Sequence, residues 1–211
     1  NDDLMVIAHK IISISENRLV NFNSVKVTQK AVSLSKKTGK SAKFCQLIIE
    51  NSNKIVKYKR GLIITENNLG IITANAGIDE SNIDSKNSAL LLPLNPNKSA
   101  KMISEDIYKN LKKNIGVIIS DSIGRPWRHG LTQISIGSYG VKSLRKYDKD
   151  IYGKPLHDTD VPVVDEVASA AGLLMEKDLG VPVVLIRGYN YQKSKRGSNV
   201  LLRSDKNDIF K

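Results

Sequence analysis

One segment of this sequence has residue types that suit a site for a metal ion and a phosphate. Residues 120–130 read Ser-Asp-Ser-Ile-Gly-Arg-Pro-Trp-Arg-His-Gly and follow a hydrophobic run that predicts a strand. The carboxylate of Asp121 and the hydroxyl of Ser122 are ligands for a hard cation, and the guanidinium groups of Arg125 and Arg128 can clamp anionic oxygens. The segment therefore favours chemistry on a phosphorylated substrate.

Structural interpretations of the polar segments stay open beside the functional one. Residues 120–130 could form a surface loop in which Trp127 packs as an anchor. A second polar segment, residues 75–82, also follows a predicted strand and carries Asp79. It could be a tight turn in which Gly77 has a positive φ and Asp79 or Asn82 bonds to nearby backbone.

A third acidic pair, Asp165-Glu166, begins a predicted helix built largely of small residues. Acidic side chains in the first turn favour the positive end of the helix dipole. This pair therefore has a sufficient structural explanation.

The composition indicates a globular protein with excess positive charge. The chain has 211 residues, 40% hydrophobic and 26% charged, and a formal net charge of +12. Clustered cations favour nucleic acid, but the positive residues are spread along the chain and no RNA-recognition, zinc-finger or helix-turn-helix pattern is present. We therefore expect no nucleic-acid partner and assign part of the charge to attracting a small polyanion.

Apolar runs are too short for a membrane protein. None approaches the roughly 18 residues that a spanning helix needs, and the start Asn1-Asp2-Asp3 lacks the layout of a signal peptide. We expect no membrane partner and a cytoplasmic location. The single cysteine, Cys45, excludes an internal disulfide and suits a helix core position.

The elements that must position the polar segments follow from hydrophobic periodicity and turn residues. Helices are predicted at about 24–37, 41–51, 99–113 and 164–176, and strands at 4–14, 18–22, 54–58, 61–66, 69–74, 115–120, 132–136 and 181–187. Hairpins beside helix-linked strands predict an α+β fold with mixed, largely antiparallel sheets. We expect a single unit over residues 1–211, with two interleaved subdomains as the alternative.

Taken together, these segments resemble the coenzyme F(420)-0:gamma-glutamyl ligase family. The shared motifs occur in the family's order and at nearly its spacing over almost the whole chain. They are residues 75–82, Leu91-Leu92-Pro93 with Pro96, residues 121–130 with Ile136-Gly137 and Gly140, residues 150–153, residues 164–175, and Arg187-Gly188. A shared fold does not by itself fix the substrate.

The resemblance implies a GTP-dependent ligase and a homodimer. In the family, GTP activates the terminal carboxylate of F(420)-0 as an acyl phosphate, and the amine of L-glutamate then displaces phosphate with the help of two Mg or Mn ions. By position in the motifs, Asp79 and Asp121 would hold one cation, and Ser122 would hold the second in place of the usual threonine. Asn82 would contact the nucleotide.

Further nucleotide contacts are expected from the end of the first predicted strand, at His9, Lys10 and Ser13. Here the sequence departs from the family, whose Ser-Lys-x-Glu-Gly pattern has a nucleotide-contacting lysine where this chain has Ile14. The family also has a strand and a nucleotide-contacting loop upstream that this sequence does not contain, so the chain either lost them or is a portion of a longer protein. The missing lysine keeps a second hypothesis open, namely a divergent homologue that binds nucleotide or an F(420)-like cofactor without turnover, or that ligates another acidic acceptor.

The remaining site residues are assigned by charge or by uncertain alignment. Arg125 and Arg128 are candidates for binding phosphate or a substrate carboxylate in catalysis, on charge alone. The family has an acid or amide ligand for the second cation shortly after Met175, where this chain offers Glu176 or Asp178. We take Glu176 as the expected ligand.

Overall fold

The protein is described by a computed structural model that covers residues 2–82, 87–157 and 159–208. Its strands are β1 Asp3–Ala8, β2 Leu19–Asn21, β3 Ser52–Lys59, β4 Leu62–Asn67, β5 Ile72–Ala74, β6 Ser88–Leu90, β7 Ile115–Arg125, β8 Arg128–Tyr139, β9 Arg145–Lys146, β10 Asp160–Val161 and β11 Val183–Ile186. Its α-helices are α1 His9–Ser15, α2 Gln29–Thr38, α3 Ala42–Glu50, α4 Pro96–Leu111 and α5 Val163–Met175. Short 3₁₀ helices lie at Phe22–Ser24, Asn75–Gly77, Ser198–Leu201 and Asp205–Asn207.

The chain divides into two compact units, each built from separate stretches of sequence. The four-stranded unit comprises Asn1–Ala8, Asn95–Ser122 and Thr132–Asp208, and the three-stranded unit comprises His9–Leu94 and Ile123–Leu131.

The four-stranded unit is built on a sheet with strand order β11-β1-β7-β8. β1 pairs parallel to β7 and antiparallel to β11. Helix α5 contributes the small apolar side chains Val164, Val167, Ala168 and Ala171 to a core that also contains Leu4 and Ile118 of the sheet. Because these side chains are buried at helical spacing, hydrophobic burial fixes the face that α5 turns toward the sheet.

The three-stranded unit combines an antiparallel sheet, β3-β4-β5, with helices α2 and α3. Its core includes Phe22, Phe44, Leu47, Ile48 and Ile63. α3 begins where the hydroxyl of Ser41 accepts a hydrogen bond from the backbone N–H of Phe44, at 3.1 Å. Cys45 of α3 is fully buried, as its apolar neighbours predict, and burial raises the pKa of its thiol.

The helices and sheets of the two units confirm the predicted α+β class with mixed, largely antiparallel sheets.

The strand predicted over residues 4–14 is correct only as far as Ala8. His9, Ile12 and Ser13 are buried in α1 at helical spacing, although the β-branched residues of this run favour a strand. Tertiary packing of one helical face therefore overrides the local β propensity.

The helix predicted from about residue 24 begins later, at Gln29. The side chain of Asn21 accepts from the N–H of Asn23 and starts a 3₁₀ turn there instead. Thr28 caps α2, with its own N–H donating to Gln46 Oε1 at 3.0 Å. The cap is therefore chosen by a contact with α3, which local sequence does not reveal.

The polar segment at residues 120–130 is part of a β-hairpin and not a loop. β7 continues to Arg125 and β8 begins at Arg128, so that only Pro126 and Trp127 connect them. Trp127 has a positive φ of 59° and is 83% exposed, which rules out the packing anchor considered for it.

Within the described residues, no helix is long and apolar enough to cross a membrane.

Candidate functional site

Asp79 is the best-defined acidic group of the three-stranded unit. Its backbone exchanges two hydrogen bonds with Leu90, at 3.0 and 2.8 Å, which fixes the residue beside β6. Its carboxylate Oδ2 lies 2.7 Å from Nζ of Lys10, and Lys10 Nζ also donates to the carbonyl of Ser81 at 2.7 Å. The structure thus joins two residues that were assigned to different roles, Asp79 to metal binding and Lys10 to nucleotide binding.

Electrostatics keep the carboxylate of Asp79 charged. Partial burial alone would raise its pKa, but hydrogen bonds from Lys10 and from the hydroxyl and N–H of Ser81, both at 2.7 Å to Oδ1, hold the pKa below its usual range. The side chains of Lys10 and Asp79 are 23% and 28% exposed. Partial burial therefore strengthens the interaction between Lys10 and Asp79, and their partial exposure leaves both side chains accessible to other partners.

The turn interpretation of residues 75–82 also holds. Gly77 has a positive φ of 71°, and a Cβ there would lie 2.6 Å from Cδ1 of Leu92. The bond from Ser81 N–H to Asp79 is the side-chain-to-backbone contact expected of such a turn. Asn82, with a φ of 50°, is exposed at the end of this described stretch. The turn fixes the carboxylate of Asp79, and the role of this carboxylate in cation binding stays a prediction.

Helix α1 carries two further predicted nucleotide contacts, His9 and Ser13, and the position of the family's lysine. His9 and Ser13 are buried, with His9 Nδ1 at 3.3 Å from the hydroxyl of Ser13. Ile14, at the position of the family's lysine, is 57% exposed. A lysine at this position would therefore meet no steric obstacle from burial.

Asp121 and Ser122 of β7 form the corresponding polar group of the four-stranded unit. The N–H of Ser122 donates to Asp121 Oδ1 at 2.6 Å. The hydroxyl of Ser122 accepts from Nε2 of Gln133 at 3.0 Å and from Nζ of Lys177 at 2.8 Å. Ser122 thus joins β7, β8 and the segment after α5.

Helix α5 holds Gln133 in place. The hydroxyl of Ser169 donates to the carbonyl of Gln133 at 2.8 Å, and a Cβ added to Gly172 would lie 2.7 Å from Cγ of Gln133. The amide oxygen Oε1 of Gln133 is buried without a hydrogen-bond partner among the residues that the structure describes. An oxygen atom that lacks a donor is the kind of group that a bound ligand satisfies.

The acidic pair of α5 lies in the first turn, as predicted, and Asp165 has a packing role besides. Its Oδ1 accepts from the N–H of Ser135 in β8 at 2.9 Å. Burial raises the pKa of Asp165, and the bond from Ser135 offsets this only in part.

The remaining candidates lie on exposed ends of elements. Arg125 and Arg128 flank the tip of the β7-β8 hairpin and are exposed. Glu176 directly follows the last residue of α5, has a φ of 26° and is exposed. Asp178 is also exposed. Exposure leaves their proposed roles in phosphate and cation binding as predictions.

The donor types in both units fit Mg²⁺ or Mn²⁺. Carboxylate, hydroxyl and amide oxygens are hard ligands, and Asp79, Asp121, Ser122 and Gln133 supply them. Over residues 2–82, 87–157 and 159–208, no group of three or more His, Cys, Asp or Glu side chains could hold a metal ion. The metal ligands expected above, Asp79, Asp121, Ser122 and Glu176, stay predictions.

Sequence reasoning missed Gln133, Lys177 and Ser81. A faint signal existed for Gln133, because it is the longest polar side chain in a predicted strand that alternates with Ile134 and Ile136. Lys177 carried no signal among so many lysines.

Known proteins resemble this chain over almost its whole length. The model of the family described as F(420)-0:gamma-glutamyl ligase matches residues 1–188. The chain is 42% identical over 212 residues to a protein of Methanocaldococcus jannaschii named coenzyme F(420):L-glutamate ligase, covering 99% of this chain and 84% of the relative. Proteins of the same name from Methanococcus maripaludis strain C6 and Archaeoglobus fulgidus are 38% and 33% identical, over 100% and 99% of this chain and 85% and 84% of their own lengths.

Proposed function

The chain belongs to the F(420)-0:gamma-glutamyl ligase family, and from this premise we propose that it joins L-glutamate to coenzyme F(420)-0 at the expense of GTP. The observation that carries the proposal is the 42% identity to a named glutamate ligase over 99% of this chain. The acidic and hydroxyl groups at Asp79, Asp121 and Ser122 support it, because they retain the donor types that the family's motifs require.

The proposed chemistry has two steps. A carboxylate oxygen of F(420)-0 attacks the γ-phosphorus of GTP, the bond to the β-phosphate oxygen breaks, and GDP leaves. The amine of glutamate then attacks the carbonyl carbon of the acyl phosphate, inorganic phosphate departs with the C–O bond electrons, and a proton from nitrogen passes to solvent. The products are an amide, GDP and phosphate.

The chain's own residues bind and orient the anionic groups in this scheme. Lys10 is suited to phosphate, because its ammonium already binds a carboxylate oxygen and can exchange it for another anionic oxygen. Asp79, Asp121 and Ser122 would hold Mg²⁺ or Mn²⁺, with Glu176 as the expected further carboxylate. The cations, when bound, neutralise the triphosphate and the charge on the transferred phosphoryl group. Asn82 is proposed to contact the nucleotide.

Arg125 and Arg128 are proposed to bind phosphate or the carboxylate of a substrate. Their place at a hairpin tip leaves both guanidinium groups exposed to an incoming anion. If Arg128→Ala changes neither GTP affinity nor turnover, its role in this scheme is withdrawn.

The decisive experiment mixes the protein with F(420)-0, GTP, Mn²⁺ and L-glutamate. We expect release of GDP and phosphate that depends on glutamate, together with a product heavier by one glutamyl residue in mass spectrometry. Reactions without glutamate and with Asp121→Asn protein are the controls. Failure of every acidic deazaflavin acceptor to give an amide product would contradict the ligase.

A second candidate function is binding of nucleotide without turnover, which the loss of the family's lysine at Ile14 favours. Calorimetry that shows GTP binding, combined with no product from F(420)-0 or another acidic acceptor, would support it.

We also propose a homodimer, which light scattering of the purified protein tests directly.

A further inference from the structure

A cavity of about 410 Å³ lies in the four-stranded unit, at the end of the sheet where β7 begins. The residues that line it come from α4, from the start of β7, from the end of β8 and from residues 191–195. Pockets that hold small molecules have volumes of about 300–1,000 Å³. The cavity is therefore large enough for a small molecule, and none of the residues assigned above to the ligase reaction lines it.

The cavity lies at the opposite end of β7 from Asp121 and Ser122. Ile115, the first residue of β7, lines the cavity, whereas Asp121 and Ser122 lie in the second half of the strand. At a rise of about 3.3 Å per residue, the strand separates Ile115 from Asp121 by about 20 Å. The cavity is therefore a separate place from the proposed cation ligands of this unit.

The charged side chains that line the cavity are cationic. Lys193 and Lys195 line it, and none of its described lining residues is acidic. Lys195 has no carboxylate partner among the residues that the structure describes. Lys193 pairs with Asp2, but their side chains are 59% and 57% exposed, so the ammonium is accessible to another anion. These groups, with the amide of Asn114 as a neutral donor, fit a phosphate or a carboxylate.

Aromatic rings and bare backbone form much of the remaining wall. Tyr139 and Tyr191 line the cavity, and the hydroxyl of Tyr191 donates to the carbonyl of Asp3 at 3.3 Å while its ring packs against the core of the unit. Gly116 and Gly140 contribute backbone alone, and a Cβ at Gly140 would lie 3.2 Å from Cα of Gly116. Aromatic side chains beside flat peptide surface favour a ligand that has a ring of its own.

We propose that this cavity binds a small molecule that joins an aromatic ring to a phosphate group, with the size of a nucleoside monophosphate. The ring lies against the two tyrosines. The phosphate binds the ammonium groups of Lys195 and Lys193, and Lys193 exchanges the carboxylate of Asp2 for the phosphate. This ligand is additional to the substrates of the proposed reaction, and its binding does not depend on that reaction.

The test measures binding of AMP to the whole protein by calorimetry, without divalent cations. Adenosine and ribose 5-phosphate, which each keep one half of the ligand, should bind at least about tenfold more weakly than AMP. Lys195→Met should weaken AMP binding about tenfold or more. Asp2→Asn should act in the opposite direction and tighten binding by about twofold to fivefold, because Lys193 loses its competing carboxylate. Asparagine also suits the positive φ of 67° at this position.

Lys206→Met, a change of the same type at an exposed lysine that does not line the cavity, is the matched control and should bind AMP like the wild type. Lys195→Arg keeps the cation and should retain most of the affinity, which separates loss of charge from a disturbed segment. Thermal unfolding shows whether each variant is folded.

The inference is overturned if the wild type binds no AMP, or if folded Lys195→Met binds AMP as tightly as the wild type. Adenosine that binds as tightly as AMP would show that the lysines hold no phosphate, and ribose 5-phosphate that does so would show that the ring contributes nothing. Either result contradicts the proposed ligand. Loss of AMP binding in Asp121→Asn but not in Lys195→Met would place AMP at the proposed catalytic groups instead.

Discussion

The contact between Lys10 and Asp79 can be tested by Lys10→Met, which keeps most of the apolar stem and removes the ammonium. Exposed ion pairs contribute about 0–1 kcal/mol, whereas hydrogen bonds to charged groups contribute about 1.5–3 kcal/mol. Lys10 and Asp79 are less than one-third exposed, at 23% and 28%, and Lys10 makes a second bond to the carbonyl of Ser81. We therefore expect a loss of about 1–2 kcal/mol in the free energy of unfolding at pH 7.

The pH dependence of this loss has a definite sign. Hydrogen bonds from Lys10 and Ser81 outweigh burial and lower the pKa of Asp79 in the folded protein. A lowered folded-state pKa stabilises the protein above the unfolded value of about 3.9 and ceases to do so as the pH falls through the folded-state pKa. The difference between wild type and Lys10→Met should therefore be complete at pH 7 and shrink below about pH 4.

Urea unfolding followed by circular dichroism at several pH values measures both quantities. Lys26→Met, an exposed lysine outside the helices and strands, is the matched control and should stay within about 0.5 kcal/mol of the wild type. A loss under about 0.3 kcal/mol at pH 7 would refute the argument that partial burial strengthens this pair. A loss of the same size at pH 7 and at acid pH would show that packing of the lysine stem, and not its charge, is responsible.

Three further changes follow from the geometry. Ile14→Lys restores a cation at an exposed position of α1 and should tighten GTP binding by about threefold to tenfold in calorimetry; no change would place Ile14 off the nucleotide site. Gly137→Ala puts a Cβ 2.5 Å from Cβ of Pro96 and should cost about 2–3 kcal/mol in urea unfolding, whereas Gly124→Ala, where the nearest atom is 3.9 Å away, should cost little. Asp165→Asn should stabilise the protein at neutral pH, because burial raises the pKa of the carboxyl and so penalises its charged form; the gain should vanish below about pH 4, and equal stability at pH 7 would contradict it.

The sequence predicts those features whose causes are local. The helix predicted at about 41–51 is present as α3, and its start has a local cause, because the hydroxyl of Ser41 accepts from the N–H of Phe44 in the first turn. The turn at residues 75–82 is correct because Gly77 and Asp79 act on their immediate neighbours. Family membership could be inferred because several motifs agree in order and spacing.

The sequence does not predict features that depend on distant partners. The run after Ala8 becomes a helix because His9, Ile12 and Ser13 find a core to face. Lys10 meets Asp79 only after the three-stranded unit is assembled, and nothing distinguishes Lys10 from other lysines beforehand. Gln133 gains significance solely from its contact with Ser122 and from its unpaired oxygen.

These contacts change the interpretation of the excess positive charge. In each unit, an oxygen that we assign to metal binding is bound by a lysine ammonium, Asp79 by Lys10 and Ser122 by Lys177. Because an ammonium and a divalent cation compete for the same oxygen, we expect binding of a cation at either oxygen to release its lysine. A triphosphate offers a new anionic partner to a released lysine. We therefore expect the lysines to act as exchangeable counter-ions that link cation binding to nucleotide binding, and such linkage is reciprocal by thermodynamic necessity.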